Sequence, residues 1–117
     1  MYVSGVGSGG ALVFVETTAF TKRLPRYLSD DEYGLFQKYL VEHPDAGDLV
    51  KGSGGCRKVR WAAGGKGKRG GARVIYYWAS SKDQIYLFVI YGKSDQENLT
   101  PDDLKRVIVL LEEIENG

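Results

Sequence analysis

Half of the basic residues of this 117-residue chain lie in one glycine-rich segment, residues 51–73. The segment reads KGSGGCRKVRWAAGGKGKRGGAR and contains eight Lys or Arg, eight Gly and no Asp or Glu. The whole chain has a formal net charge of +1, so the rest of the sequence carries −7. Clustered cations on an open backbone attract phosphates, because each neutralised phosphate releases counterions and free N–H groups add hydrogen bonds. The segment therefore predicts a nucleic-acid partner.

The basic residues continue from the glycine-rich loop into the predicted strands on either side. Alternate side chains of a strand share a face, so Lys58 and Arg60 are expected to lie together. Pairing with neighbouring strands could add Arg73 and Lys93 to the same surface. Like charges assembled without acids repel one another, and a bound polyanion would relieve that repulsion. We therefore expect these four cations to converge on phosphate.

A second group of residues is expected to contact nucleic acid around that site. Lys66, Lys68 and Arg69 lie among glycines in the loop, and Arg57 begins the strand before it. Trp61 lies near the end of that strand and is expected to be half exposed, where a base could stack on its ring. The alternative for the loop is a solvated hairpin turn whose charges only keep the protein soluble.

Other kinds of site find little support in the sequence. Residues 65–70, GKGKRG, match the dinucleotide-binding pattern, but they lie between two predicted strands and open no helix. One histidine, His43, and one cysteine, Cys56, cannot build a zinc site, so we expect neither a metal nor a cofactor. Cys56 is expected to be a small core residue.

The length and a hydrophobic content of 43% are typical of one domain, expected over residues 11–117. Residues 1–10, MYVSGVGSGG, are expected to be a flexible Gly/Ser tail, such as a linker or an expression remnant. A short strand over residues 2–6 is the alternative. We see no signal peptide and no apolar run near the roughly 20 residues that span a bilayer, so the expected location is the cytoplasm, away from membranes.

Residue patterns predict an α+β fold of β, α, α, three further strands and a last α. Runs of β-branched and aromatic residues predict strands over residues 11–17, 57–62, 72–79 and 84–91, the last two joined as a hairpin. We therefore expect a small and mostly antiparallel sheet. We expect the helices to cover one face of it and a basic face to be sparsely covered.

Helix signals are clearest at three places along the chain. Pro25 interrupts an apolar pattern over residues 19–28, which predicts a short or broken helix. Ser29 and Glu32 form a capping box, and the helix that follows should stop before Pro44. Thr100 is the expected cap of a C-terminal helix with one apolar stripe.

Several segments in this order resemble the RelE/HigB family of bacterial toxins, and more closely its HigB branch. The segments are VFVET, YLSDDEYGLFQKYL, GDLVKGSGGCRKVRWA, GKGKRGGARVIYYW and IYLFVIYGKSD, followed by an amphipathic helix. The resemblance covers about residues 11–117. It implies a small twisted sheet with two N-terminal helices and one C-terminal helix.

The resemblance also implies an activity and partners. Family members cleave mRNA in the ribosomal A site, and they are neutralised by an antitoxin, often a helix-turn-helix protein. The matching basic residues are Lys58, Arg60, Arg73 and Lys93. They would stabilise the charge formed when an RNA 2′-OH attacks its 3′ phosphate, giving a 2′,3′-cyclic phosphate, and a lysine among them could act as base or acid.

The chain departs from the better known members at two places. Ser94 follows Lys93 where those members have an arginine, and no tyrosine comes after Tyr91 to match their tyrosine near the chain end. The proton-transfer residue is therefore not assigned. The alternative function is a non-catalytic module that uses the same basic patch only to bind nucleic acid.

Overall fold

The computed structural model describes residues 2–6, 12–62, 71–93, 95–96 and 98–116. The strands within these residues are β1 Tyr2–Val6, β2 Val13–Glu16, β3 Asp48–Leu49, β4 Arg57–Trp61, β5 Ala72–Ala79 and β6 Gln84–Gly92. The helices are α1 Thr18–Tyr27, α2 Asp30–Glu42 and α3 Pro101–Asn116.

All six strands form one sheet in the order β1-β2-β6-β5-β4-β3. β2 and β6 run parallel, and every other neighbouring pair is antiparallel. A single 3₁₀ turn, Ser80–Lys82, joins β5 to β6 as the predicted hairpin. The predicted α+β fold with a mostly antiparallel sheet is confirmed.

The two strands at the edges of the sheet, β1 and β3, differ from what the sequence led us to expect. Tyr2–Val6 pairs with β2, so a flexible tail is the wrong interpretation for these residues and the alternative of a short strand holds. The exposed edge of β2 offers backbone partners that composition alone does not reveal. At the other edge, β3 has two residues, which is too short to show a period. Residues 7–10 lie outside the described part of the chain.

Side-chain caps start all three helices, and those of α2 and α3 are the predicted ones. The Thr17 hydroxyl accepts a hydrogen bond from the Phe20 amide at 3.0 Å and starts α1. The capping box of α2 is confirmed, with the Ser29 amide donating to Glu32 Oε1 at 2.8 Å and the Glu32 amide donating to Ser29 Oγ at 3.1 Å. In α3 the Asp103 amide donates to Thr100 Oγ1 at 3.1 Å.

Of the two expectations for α1, a short or a broken helix, the short helix holds, because Pro25 does not break it. The helix is continuous over Thr18–Tyr27 and ends two residues after the proline. A proline removes one backbone hydrogen bond to the carbonyl four residues earlier, and in the last turn the helix loses little more. α1 is therefore one continuous helix.

Helices cover both faces of the sheet, which corrects the expectation of helices on one face. One apolar cluster joins α1 and α2 to the sheet through Phe20, Phe36, Leu40, Val74, Tyr76 and Leu87. The second joins α3 to the opposite face through Ile75, Phe88, Tyr91, Val107, Leu111 and Ile114. The near-continuous apolar runs of β5 and β6 need cover on both sides, as do strands buried between two layers.

A bulge in β6 locks α1 to the centre of the sheet. Ile75 pairs with Val89 while Tyr76 pairs with Leu87, which leaves Phe88 as the extra residue. Its carbonyl accepts a hydrogen bond from Thr17 Oγ1 at 2.7 Å. The start of α1 is thus fixed to the strand that runs toward the basic end of the sheet. No helix among the described residues is long and apolar enough to cross a membrane.

Candidate functional site

A cationic cleft lies on the α3 face of the sheet, beside the ends of β4 and β5. Arg60 is directly opposite Arg73 in the β4–β5 ladder, and Lys58 is opposite Ile75. The cleft has a volume of about 440 Å³. Its lining residues are Asp48, Lys58, Arg60, Ala62 and Arg73. Three of the four cations predicted to converge therefore do so.

Arg73 forms the buried base of this cleft, with 6% of its surface exposed. Its Nη1 atom donates to the Gly71 carbonyl at 3.3 Å, and no other hydrogen bond of its guanidinium is formed within the described residues. A guanidinium carries five N–H donors, and burying them without acceptors is costly. The arrangement has the chemistry of an anion site, since an incoming phosphate supplies the acceptors.

The two arginines also repel one another. Directly opposed like charges destabilise an antiparallel pair. Among the described residues, neither Arg60 nor Arg73 has a carboxylate within the 4.0 Å of an ion pair. Bound phosphate would remove this unfavourable term.

Tyr91 lies beside Arg73 in the adjacent strand, paired with it in the β5–β6 ladder. Burial is the main cause that raises the pKa of the Tyr91 phenol, and the Asp103 carboxylate adds to it, whereas the Arg73 charge opposes it. The phenol oxygen is buried and makes no hydrogen bond within the described structure. The Tyr91 phenol is thus close enough to feel the charges of both Arg73 and Asp103, at the start of α3.

Lys93 lies at the same end of the sheet but does not line the cleft. Gly92 pairs with Ala72, so Lys93 follows at the tip of the ladder and is exposed. The turn after it is held to α1, because Asp95 accepts hydrogen bonds from the Tyr27 hydroxyl and from Arg26 Nη2. Burial, followed by the hydrogen bond to Asp95, raises the pKa of Tyr27.

Arg57 and Trp61 lie on the opposite face of the sheet, with α2. Arg57 Nη1 donates to the carbonyls of Gly47 at 2.8 Å and of Asp45 at 3.3 Å. Trp61 is half-buried, as predicted, but its ring packs against Phe36 and Tyr39, with centroids 5.4 and 5.3 Å apart. The alternation of a strand, which brings Lys58 and Arg60 together, necessarily turns Arg57 and Trp61 away from them.

The remaining predicted contacts, Lys66, Lys68 and Arg69, lie outside the described residues. One residue of the cleft was missed by the sequence analysis. Asp48 is exposed and pairs with Lys58 in the β3–β4 ladder. Its only sequence signal was a position just before an apolar pair, in a strand too short to recognise. Within the described residues, no three His, Cys, Asp or Glu side chains are grouped so that they could hold a metal ion.

Comparison with known proteins identifies the fold. No family model matches the chain. Its structure is similar to that of a double arginine-to-alanine mutant of the E. coli toxin RelE in the free state, with a TM-score of 0.52 and 17% sequence identity. The match covers 82% of this chain and 92% of that one. The fold is therefore RelE-like.

Proposed function

We propose that this protein is a ribosome-dependent mRNA endonuclease, the toxin of a type II toxin–antitoxin module of the HigB branch. The observation that carries the proposal is the cleft in which buried Arg73 meets Arg60 and Lys58, none of them ion-paired with a carboxylate among the described residues. The RelE-like fold and the segment order of the sequence support it. Cleavage of mRNA in the A site of the 30S particle would stop translation in the cytoplasm.

The cleft suits a reaction in which negative charge develops on phosphate. Attack by the 2′-OH places extra charge on the phosphate oxygens, and fixed cations stabilise that charge without reorganising. In our proposal Arg73, Arg60 and Lys58 hold the scissile phosphate, with Lys93 contributing from the tip of the adjacent strand. The products are a 2′,3′-cyclic phosphate and a 5′-OH, and the step uses no metal or cofactor.

Other basic residues would have a different role. Lys66, Lys68 and Arg69 are proposed to bind the backbone of mRNA or ribosomal RNA, since phosphate contacts fix position and carry no sequence information. Arg57 and Trp61 are left out of the proposed interface because they lie on the opposite face and have intramolecular partners. The proposed cellular partner is a helix-turn-helix antitoxin with an acidic segment that masks the cleft.

Mapping mRNA 5′ ends on translating ribosomes tests the function. We expect the protein to produce cuts spaced by codons within the A site. Arg73→Ala should reduce the single-turnover rate by at least about 100-fold, the size of losing one transition-state donor. Lys105→Ala, which removes one exposed charge from α3, is the matched control and should cut normally. Ribosome binding without any cuts would instead support the non-catalytic module.

A further inference from the structure

We propose that the Asp48 carboxylate is the base that accepts the 2′-OH proton in this cleft. The inference deepens the proposed function and depends on it. It concerns the one role that the cations cannot fill in their charged forms, because ammonium and guanidinium groups are donors without an acceptor.

Asp48 is the only carboxylate among the described residues that line the cationic cleft. It lies opposite Lys58 across the β3–β4 ladder. Asp48 and Lys58 also line a second hollow of about 390 Å³, which lies next to the first and includes Leu49 and Leu99. The carboxylate thus stands between a site for phosphate and a hollow whose lining is partly apolar. A nucleotide spanning both would bring its sugar past Asp48.

The backbone before Asp48 leads into an exposed edge strand, yet it is held by hydrogen bonds to side chains of β4 and β5. The Gly47 amide donates to Tyr76 Oη at 3.0 Å, and Tyr76 Oη donates to the Pro44 carbonyl at 2.9 Å. The Gly47 carbonyl accepts from Arg57 Nη1 at 2.8 Å. Tyr76 is fully buried, so this clamp is anchored in the core. It fixes the position from which Asp48 reaches the cleft, as a catalytic group needs.

Close packing also leaves no freedom at residue 47. A Cβ atom there would lie 2.7 Å from the Lys58 carbonyl oxygen and 3.1 Å from the Tyr76 ring. The backbone just before β3 therefore packs directly against β4. Asp48 and Lys58 are then brought side by side by their pairing in the ladder.

The proposed step balances with these groups and solvent water. The Asp48 carboxylate removes the 2′-OH proton while the 2′ oxygen forms a bond to phosphorus. The bond between phosphorus and the 5′ oxygen breaks, and the leaving oxygen takes a proton from solvent. Asp48 then returns its proton to solvent. Arg73, Arg60 and Lys58 stabilise the phosphate throughout.

Electrostatics give this role a distinctive signature. A carboxylate beside a phosphate site repels the substrate, so its removal alone should strengthen RNA binding and favour activity. A general base contributes about 10²–10⁴ to the rate, so its removal should lower the rate despite tighter binding. If Asp48 only repels the substrate, its removal should raise the cleavage rate. If Asp48 is the base, its removal should lower that rate.

The test is single-turnover cleavage of ribosome-bound mRNA by wild type and Asp48→Asn, with ribosome affinity measured in parallel. We expect Asp48→Asn to bind at least as tightly as wild type and to cleave at least about 100-fold more slowly. Unchanged affinity also reports that the variant is folded. Glu42→Gln, which neutralises an exposed carboxylate at the end of α2, is the control and should behave as wild type.

The possible failures are distinguishable. If wild type cuts and Asp48→Asn cuts as fast or faster, Asp48 is not the base, while the proposed function stands. If wild type binds ribosomes but makes no cuts, the proposed function fails, and the role of Asp48 fails with it. Loss of both affinity and cutting in Asp48→Asn would make the residue structural and would also overturn the proposal.

Discussion

Tyr76 and Tyr91 show how two buried hydroxyl groups of the same sheet differ in their partners. Both side chains are almost fully inaccessible. The Tyr76 hydroxyl bonds to the Gly47 amide and the Pro44 carbonyl, whereas the Tyr91 hydroxyl has no partner within the described residues. A buried polar group without a hydrogen bond costs free energy, and the same group with two bonds stabilises.

This difference predicts opposite effects for two identical substitutions. Tyr76→Phe should lower the free energy of unfolding by about 1–3 kcal/mol, because it leaves the Gly47 amide unsatisfied. Tyr91→Phe should leave that free energy unchanged or raise it by about 1 kcal/mol, because only an unpaired hydroxyl is removed. Urea denaturation of the two variants beside wild type measures both. A larger loss for Tyr91→Phe would mean that its hydroxyl has a partner in solution.

Cys56 is predicted to lower the stability of the fold as the pH becomes alkaline. Burial is the main cause that raises the pKa of its thiol from 9.0 to about 12, against the hydrogen bond with Ser53. The folded state therefore holds its proton more tightly than the unfolded state, so stability is complete below about pH 9 and declines as pH rises toward about 12. The buried tyrosines act in the same direction.

Chemical denaturation between about pH 9 and 12 measures how much the Cys56 thiol contributes to this pH dependence. Cys56→Ala should be less stable than wild type at pH 7 because it leaves a small cavity. Its stability should decline less steeply between about pH 9 and 12. Equal slopes for the two proteins would show that the thiol does not contribute.

At the scale of elements, the sequence was sufficient to predict a helix or strand where the residue pattern extends over several turns or residues. The capping box at Ser29, the cap at Thr100 and the strand runs of β5 and β6 all predicted the observed elements. The prediction failed where tertiary contact decides. β3 has two residues and lies where Gly47 packs closely against β4, and the face that α3 covers depends on how the sheet is assembled.

The candidate site could also be predicted only where a strand pattern determines the position of a residue. Strand alternation was enough to place Lys58 and Arg60 together, and strand pairing added Arg73. The sequence could not reveal the partners of Arg57. Its guanidinium binds the backbone of residues 45–47, and that contact joins residues of different elements. Asp48 was missed because no periodic signal marks a two-residue strand.

Two glycines offer a test of the contact that positions β3. Gly47→Ala should lower the free energy of unfolding by about 1–3 kcal/mol, because the new methyl group meets the Lys58 backbone at 2.7 Å. Gly34→Ala, in the exposed interior of α2 with no atom within 4 Å, should raise it by about 1 kcal/mol. Thermal unfolding of both variants is the measurement. A neutral Gly47→Ala would show that β3 can move away from β4 at little cost.

At the scale of the whole molecule, charge is divided between two regions. Residues 51–73 carry +8 and the rest carries −7, so a net charge of +1 conceals a dipolar protein. Binding of a short free RNA should therefore be electrostatic and should weaken steeply with salt, by about 10³-fold or more between about 50 and 200 mM if many phosphates are contacted. Fluorescence anisotropy measures this dependence. Flat affinity would exclude the basic segment as the binding surface.

The parallel pairing of β2 with β6 has a consequence for synthesis of the chain. Thr17 and Phe88, which bond across this junction, are 71 residues apart, and β6 lies between β2 and β5 in the sheet. A nascent chain that ends before β6 holds both N-terminal helices and β4 but lacks the strand that unites the two halves of the sheet. Such distant pairing forms late in folding. The sheet that positions Arg60 and Arg73 can therefore be completed only after β6 has left the exit tunnel.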